Sequence, residues 1–198
     1  MTVSADGLRQ ALDQLADLRT APVTVEEALE RVVASADALF GVDGTTLMLV
    51  DRDQALRNLA ASDRRAALLE ELQATHGEGP CVDAFDDKQP VATDDLGRED
   101  RWPAFSPDAA RRRLLAVLAS PIPYSEQAVG VVAVFAAQPH PWTEAEREAI
   151  VAFTELVALL ILNAMQARER GRVAAELQVA LDSRVVIEQA KGVLVGRH

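Results

Sequence analysis

The chain has 198 residues, of which 49% are hydrophobic and 26% charged, a mixture typical of a soluble folded protein and not of a disordered one. Its one cysteine, Cys81, excludes an intramolecular disulfide framework and a cysteine-rich zinc cluster. The net charge of −11 argues against a large nucleic-acid surface. Neither a signal peptide nor an apolar run of about 18 residues is present, so we expect a cytoplasmic protein without membrane contact.

The N-terminal part of the sequence predicts two helices and a β-hairpin. Apolar residues recur at three- and four-residue spacing between Leu8 and Leu18, which indicates a short amphipathic helix. Thr24 is placed as the N-cap of a second helix that ends at Gly41. The β-rich runs 45–50 and 55–61 are separated by four polar residues and predict the hairpin.

The central part predicts further strands and helices in alternation. Helical patterns lie at 66–74, 82–85 and 102–113, and β-rich runs lie at 90–93, 114–122 and 129–137. The residues 123–127 between the last two runs suit a hairpin loop. Because hairpins alternate with helical insertions, an α+β fold with a mostly antiparallel central sheet is favoured over a parallel, doubly wound one.

A long C-terminal helix is predicted after this sheet. Thr143 and Glu146 form a capping-box pattern, and no proline follows before the end of the chain. Gly171 is the best candidate for a kink or break in this run.

The sequence resembles a GAF domain between about Thr24 and Gln166. The most specific stretch is Gly77–Ala84, Gly-Glu-Gly-Pro-Cys-Val-Asp-Ala, which is similar to a segment of GAF domains that precede ANTAR domains. The segments Pro90–Leu96 and Trp102–Phe105 resemble the same subgroup. The resemblance implies a small-molecule sensor with an antiparallel sheet flanked by helices.

The C-terminal segment 177–194 resembles the first helix of an ANTAR domain, most closely in Ile187–Gly192, Ile-Glu-Gln-Ala-Lys-Gly. That family binds paired RNA hairpins and prevents transcription termination, usually as a dimer. The resemblance implies RNA contacts by Arg184, Gln189 and Lys191, although pairing within the helix explains these residues equally well. Since the chain stops at His198, we expect RNA binding only where the complete module is present.

These resemblances divide the chain into three parts with one regulatory function. They are an N-terminal helix (1–23), a GAF-like sensor domain (24–166), and a linker helix with the truncated first ANTAR helix (167–198). We expect a cytoplasmic, signal-sensing regulator of transcription antitermination that is not an enzyme. A partial heptad pattern in the tail predicts a homodimer. The alternatives are a ligand-free dimerisation or interaction module and a cysteine-dependent redox enzyme.

The resemblance also implies a ligand pocket between one face of the sheet and the segments that cover it. The identity of any ligand or cofactor is unknown from the sequence. Cys81 could be a stabilised thiolate at a helix start or a small buried thiol, and the aromatic residues could equally form plain core. The expected ligand-binding residues are Cys81, Phe85, Val91, Trp102, Phe105 and Ala119.

The sequence predicts no catalytic triad and no metal site. His76, His140 and His198 are few and scattered, and turn or surface positions are expected for them. The acidic run around Asp94 and Asp95 lacks the spacing of a calcium-binding EF-hand, so a solvated loop is expected.

Overall fold

The computed structural model describes residue 9 and residues 25–163, apart from positions 52 and 54. The chain divides into two compact units, Met1–Ala158 and Leu159–His198. Of the second unit, residues 159–163 are described, and they are helical. Apart from residue 9, the predicted helix at 1–23 lies outside the described residues, as do the cap at Thr24, Gly171 and the whole segment 167–198.

The first unit is built on a five-stranded antiparallel sheet with the spatial order β2-β1-β5-β4-β3. The strands are β1 (Gly44–Val50), β2 (Leu56–Ala61), β3 (Val91–Thr93), β4 (Ala116–Tyr124) and β5 (Gln127–Ala136). The helices are α1 (Val25–Phe40), α2 (Arg64–His76), α3 (Pro80–Asp87), α4 (Phe105–Arg111), a 3₁₀ turn at Leu96–Arg98, and α5, described from 144 to 163. The predicted α+β class and antiparallel sheet are confirmed.

Both predicted hairpins are present in this sheet. In the first, Thr46 lies opposite Ala61 and Val50 lies opposite Leu56. The second is tighter than predicted, because β4 and β5 continue until Tyr124 lies opposite Gln127. Ser125, in the turn between them, has a φ of 55°, and a positive φ at this position is typical of tight hairpin turns.

The sheet separates two layers of helices. Alternate residues of β5 point to opposite faces, and Val131, Ala133 and Phe135 belong to a core shared with α2, α3 and α4. On the other face, the hydroxyl of Thr45 donates to Asp37 of α1 at 2.5 Å. The hydroxyls of Ser120 in β4 and Thr154 in α5 are 3.1 Å apart on that same face. Hence α1 and α5 lie on the face opposite to α2, α3 and α4.

The start of α5 confirms the predicted capping box. The carboxylate of Glu146 accepts from the backbone N–H of Thr143 at 2.8 Å, and the N–H of Glu146 donates to the Thr143 hydroxyl at 3.3 Å. None of the helices in the described part of the chain is long and apolar enough to cross a membrane.

Helix α4 is shorter than the predicted 102–113. It begins at Phe105, because a carboxylate oxygen of Glu78 accepts from the backbone N–H groups of Ala104 and Phe105 and so caps the helix there. It ends at Arg111. Shortly after, Arg113 has a φ of 61°, a left-handed backbone conformation that does not occur within a right-handed α-helix.

Candidate ligand-binding site

The two glycines of the Gly77–Ala84 motif connect α2 to α3. Gly77 has a φ of 68° and ends α2 by donating its N–H to the carbonyl of Gln73 at 2.8 Å. Gly79 has a φ of 140° and lies against the side chain of Gln73. A Cβ at Gly79 would lie 2.5 Å from Cγ of Gln73, closer than side chains pack, so only glycine fits here.

The two carboxylates of the motif bind the segment that precedes α4. Glu78 accepts from the N–H groups of Ala104 and Phe105 at 2.7 and 2.9 Å. Asp83 accepts from Nε1 of Trp102 at 2.9 Å. The motif and the Trp102–Phe105 segment are separate signatures in the sequence. In the structure they are two halves of one hydrogen-bonded unit.

Cys81 is a buried, neutral thiol. Its side chain is fully buried, and its backbone N–H donates to Oε1 of Gln73 at 2.7 Å. Burial raises the pKa of the thiol to about 12, the contact with Gln73 opposes this slightly, and the nearby carboxyl of Glu70 raises it further. A thiol with such a pKa is not a nucleophile near neutral pH, so the structure favours the small buried thiol over the stabilised thiolate.

The structure brings the predicted ligand-binding residues together, as one packed core. Cys81, Trp102, Phe105 and Ala119 are all buried in the core between the sheet and helices α2 to α4. Phe85 and Val91 are partly buried and pack against it. The predicted RNA contacts Arg184, Gln189 and Lys191 lie outside the described residues.

Trp102 is fixed from several sides. Its ring meets that of Phe105 edge to face with centroids 6.2 Å apart, and the guanidinium of Arg101 lies 4.4 Å from its ring centroid. Arg101 also pairs with Glu99 at 2.6 Å and donates to the carbonyl of Ala92 at 2.7 Å. These contacts with Arg101 lower the pKa of Glu99 to about 2. Such a position suits a structural residue as well as a pocket wall.

Two of the histidines, His76 and His140, and the acidic run make contacts within the protein, whereas His198 lies outside the described residues. His76 lies 3.2 Å from Asp108, and His140 lies 3.0 Å from Glu146. Asp94 accepts from the backbone N–H of Trp142, and Asp95 accepts from that of Gly97. Within the described ranges, no group of three His, Cys, Asp or Glu side chains could hold a metal ion.

Glu70 is the functional candidate that the sequence analysis missed. The residue is 2% exposed, and neither carboxylate oxygen makes a hydrogen bond of ordinary geometry. Burial raises its pKa from the ordinary 4.5 to about 8, and the hydroxyl of Thr46 opposes this only in part. Glu70 also lines a cavity of about 250 Å³ beside β1, β2 and α2. Unpaired buried carboxyl groups are rare in folded proteins and occur mostly at functional sites.

A signal for Glu70 exists in the sequence. Ala66, Glu70 and Gln73 follow one another at spacings of four and three, so they lie on one stripe of α2 together with Leu69. The apolar residues Leu68, Leu69 and Leu72 give the stronger signal in this helix, so the polar members of its buried face were not predicted.

A second cavity, of about 460 Å³, lies at the end of the sheet where α3 ends. It is lined by Phe85 together with Val50, Lys88 and Val129. Phe85 is the predicted ligand-binding residue that faces this open space, whereas Cys81 and Trp102 line neither this cavity nor the one beside Glu70.

Several solved structures share this fold at low sequence identity. The GAF domain of a phosphoenolpyruvate-protein phosphotransferase from Acinetobacter is 18% identical, with a TM-score of 0.61 over 82% of this chain and 96% of that one. The corresponding domain from Coxiella burnetii is 19% identical, with a TM-score of 0.62 over 84% and 96%. Free methionine-R-sulfoxide reductase from Neisseria meningitidis is 14% identical, with a TM-score of 0.62 over 84% and 96%.

One of the two sequence comparisons gives a match, and that match agrees with the fold. The chain matches no curated protein sequence. The sequence profile of the GAF domain matches residues 22–162. Because this match covers more than half of the chain, the protein belongs to the GAF domain family, a family of signal-sensing domains.

Proposed function

We propose that this chain is the sensor of a regulator whose output is a linked ANTAR domain that binds RNA and prevents transcription termination. In this proposal the protein is a cytoplasmic homodimer that responds to a small-molecule ligand. The ANTAR-like sequence at 177–194 supports the output, and the GAF fold supports the sensing role. A ligand would act by shifting the population of two arrangements of the C-terminal helix.

The connection of α5 to the sheet is the observation that carries this mechanism. Trp142, just before α5, donates Nε1 to the carbonyl of Thr93 in β3 at 3.2 Å and its backbone N–H to Asp94 at 3.2 Å. Further along, Thr154 of α5 meets Ser120 of β4 hydroxyl to hydroxyl at 3.1 Å. The neighbouring residue of β4, Ala119, belongs to the core on the opposite face, so β4 contacts both the core that holds the expected pocket residues and α5.

The test measures RNA binding by the full-length protein produced from its gene, with a labelled RNA that carries paired hairpins. Alanine at Arg184, Gln189 or Lys191 is expected to weaken binding by about tenfold or more, because each loses a contact of ~1–3 kcal/mol. Thr154→Val removes the hydroxyl contact with Ser120 and is expected to change the ligand response but not basal RNA binding. Thr75→Val, which alters a hydroxyl on exposed α2 surface, is the control. Undetectable binding to every hairpin RNA would refute the antitermination output.

A second candidate is a GAF domain without a ligand that serves dimerisation or protein interaction. It is supported by the full burial of Cys81, Trp102, Phe105 and Ala119, which leaves these expected pocket residues in contact with each other. Separate replacement of Trp102 and Cys81, with measurement of the ligand response, discriminates the two. Full retention of the response in both variants removes these residues from the site.

We propose a non-enzymatic role in preference to a cysteine-dependent redox enzyme. The similarity to a methionine sulfoxide reductase extends to the fold, but the raised pKa and full burial of Cys81 do not suit a redox thiol. The check is reduction of free methionine-R-sulfoxide with dithiothreitol as reductant. Turnover that is lost in Cys81→Ser would revive the enzymatic alternative.

A further inference from the structure

The cavity beside Glu70 has mixed walls. Apolar atoms come from Met48 of β1, Leu56 of β2 and Ala67 of α2, and ionisable groups come from Glu70 and Arg57. Its volume of about 250 Å³ is near the ~300 Å³ at which common small-molecule sites begin. The space therefore suits a compact organic molecule of one ring or a short chain.

Two neighbouring polar groups in this region are incompletely satisfied. Neither oxygen of Glu70 nor the hydroxyl oxygen of Thr46 makes a hydrogen bond of ordinary geometry. The Thr46 hydroxyl lies close enough to lower the pKa of Glu70, but it can donate to at most one of the two carboxyl oxygens. Each unmatched buried group costs about 1–3 kcal/mol of stability. Replacing Glu70 with an apolar residue would avoid this cost, so its presence indicates that something else completes its interactions.

The charged neighbours of Glu70 leave the site acidic. Arg57 of β2 lies at the cavity but pairs with Asp51 at 2.7 Å, and its side chain is 66% exposed. Glu71 of α2 also lines the cavity and adds a second carboxylate. Cys81 of α3 is close enough to interact electrostatically with Glu70, and its raised pKa keeps it neutral. A cation with N–H donors is the complement to this set of groups.

We propose that the cavity between α2 and strands β1 and β2 binds a small organic cation, an amidinium, guanidinium or ammonium group on an apolar body, through Glu70. This proposal rests on the sensing function proposed above and gives its ligand a chemical class. The cationic nitrogen donates to the Glu70 carboxylate, and the apolar body packs on Met48, Leu56 and Ala67.

Cation binding is coupled to release of one proton. Without a ligand, burial raises the pKa of Glu70 to about 8, so the carboxyl is mostly neutral at pH 7. The bound cation stabilises the carboxylate, and the proton of the Glu70 carboxylic acid passes to the solvent. Binding is therefore expected to strengthen by up to tenfold for each pH unit between 6 and about 8, and to level off above that.

The test uses benzamidinium and n-butylguanidinium as probes, with neutral benzamide as the uncharged match to the first. Isothermal calorimetry of the full chain in two buffers of different ionisation enthalpy reports the affinity and the protons released. Wild type is expected to bind at least one cation, to release up to one proton at pH 7, and to bind benzamide at least about tenfold more weakly, a difference of ~1.4 kcal/mol.

Two variants on the same helix identify the carboxylate responsible. Glu70→Gln is expected to weaken cation binding by about tenfold or more and to abolish proton release, because its amide has no proton to lose. Glu71→Gln removes the exposed second carboxylate of the same cavity; it is expected to weaken cation binding by no more than about fivefold and to leave proton release unchanged. Circular dichroism confirms that both variants are folded.

Three results would overturn the cation site: neither cation binds wild type, binding releases no proton, or Glu70→Gln binds as wild type does. The sensing function would survive all three if another molecule binds the GAF domain and alters RNA binding equally in wild type and Glu70→Gln. Conversely, Glu70-dependent cation binding that leaves RNA binding of the full-length protein unchanged would support the site and refute its proposed output.

Discussion

Glu70 makes the stability of this domain depend on pH in a direction that few carboxyl groups produce. Its pKa is about 8 in the folded protein, raised by burial, against an ordinary value of 4.5 in the unfolded chain. Between these two values the folded state keeps a proton that the unfolded state has lost. The contribution of Glu70 to stability is thus fully present below pH 4.5 and is lost as the pH rises to about 8.

The magnitude follows from this window. Stability falls by up to ~1.4 kcal/mol for each pH unit within it, a total of about 3–5 kcal/mol, which is a large part of the ~5–15 kcal/mol of a typical domain. Glu70→Gln retains the size and hydrogen-bonding groups of the side chain but cannot ionise. The difference in unfolding free energy between the two proteins should therefore shift in favour of Glu70→Gln as the pH rises.

The assay is urea unfolding of wild type, Glu70→Gln and the control Glu71→Gln at pH 5, 6, 7 and 8. Subtracting the Glu70→Gln curve from that of wild type cancels the other titrating groups, including Asp37, whose pKa is also raised by burial. The control should run parallel to wild type. Parallel curves for wild type and Glu70→Gln would refute the assignment of a buried, neutral carboxyl at this position.

Three further predictions concern the Gly77–Ala84 motif. Gly79→Ala should destabilise the domain by more than ~2 kcal/mol in urea unfolding, because the added Cβ would collide with Gln73. Gly77→Ala has open space at its Cβ and should cost only about 1 kcal/mol. Equal losses in the two variants would contradict the contact with Gln73. Glu78→Ala removes the cap of α4 and should lower the unfolding free energy by about 1–2 kcal/mol. Glu78→Gln should retain most of this stability, because its amide oxygen can still accept from the two backbone N–H groups. An equal loss in Glu78→Gln would argue against capping. The thiol of Cys81 should react with Ellman's reagent at pH 7 only as fast as the domain opens, and labelling at the rate of a free thiol would refute its burial.

The sequence was sufficient for those parts of the fold that depend on local patterns. The hairpin periodicity of 45–50 and 55–61 and the capping box of Thr143 and Glu146 are both present in the structure. These features could be predicted from the sequence because their signals lie within a few residues along the chain. The predicted start of α4 at Trp102 was wrong, because the cap comes from Glu78, which is distant in sequence.

The candidate site was predicted less completely. The resemblance selected Cys81, Trp102 and Phe105, and these residues do lie together, but their complete burial emerges only from packing across the sheet. Glu70 was missed because its significance depends on the absence of a partner, and no local pattern reports whether a carboxyl is paired. Its burial results from the packing of α2 on the sheet, where Thr46 of β1 is the neighbour that lowers its pKa.

We propose that a ligand at the Glu70 cavity controls an RNA-binding output through the C-terminal helix. The most direct test is the RNA affinity of the full-length protein, measured with and without saturating benzamidinium, for wild type and Glu70→Gln. We expect a change of about fivefold or more in wild type, equivalent to ~1 kcal/mol of coupling, and none in Glu70→Gln. Equal RNA affinity of wild type with and without the bound cation would contradict it.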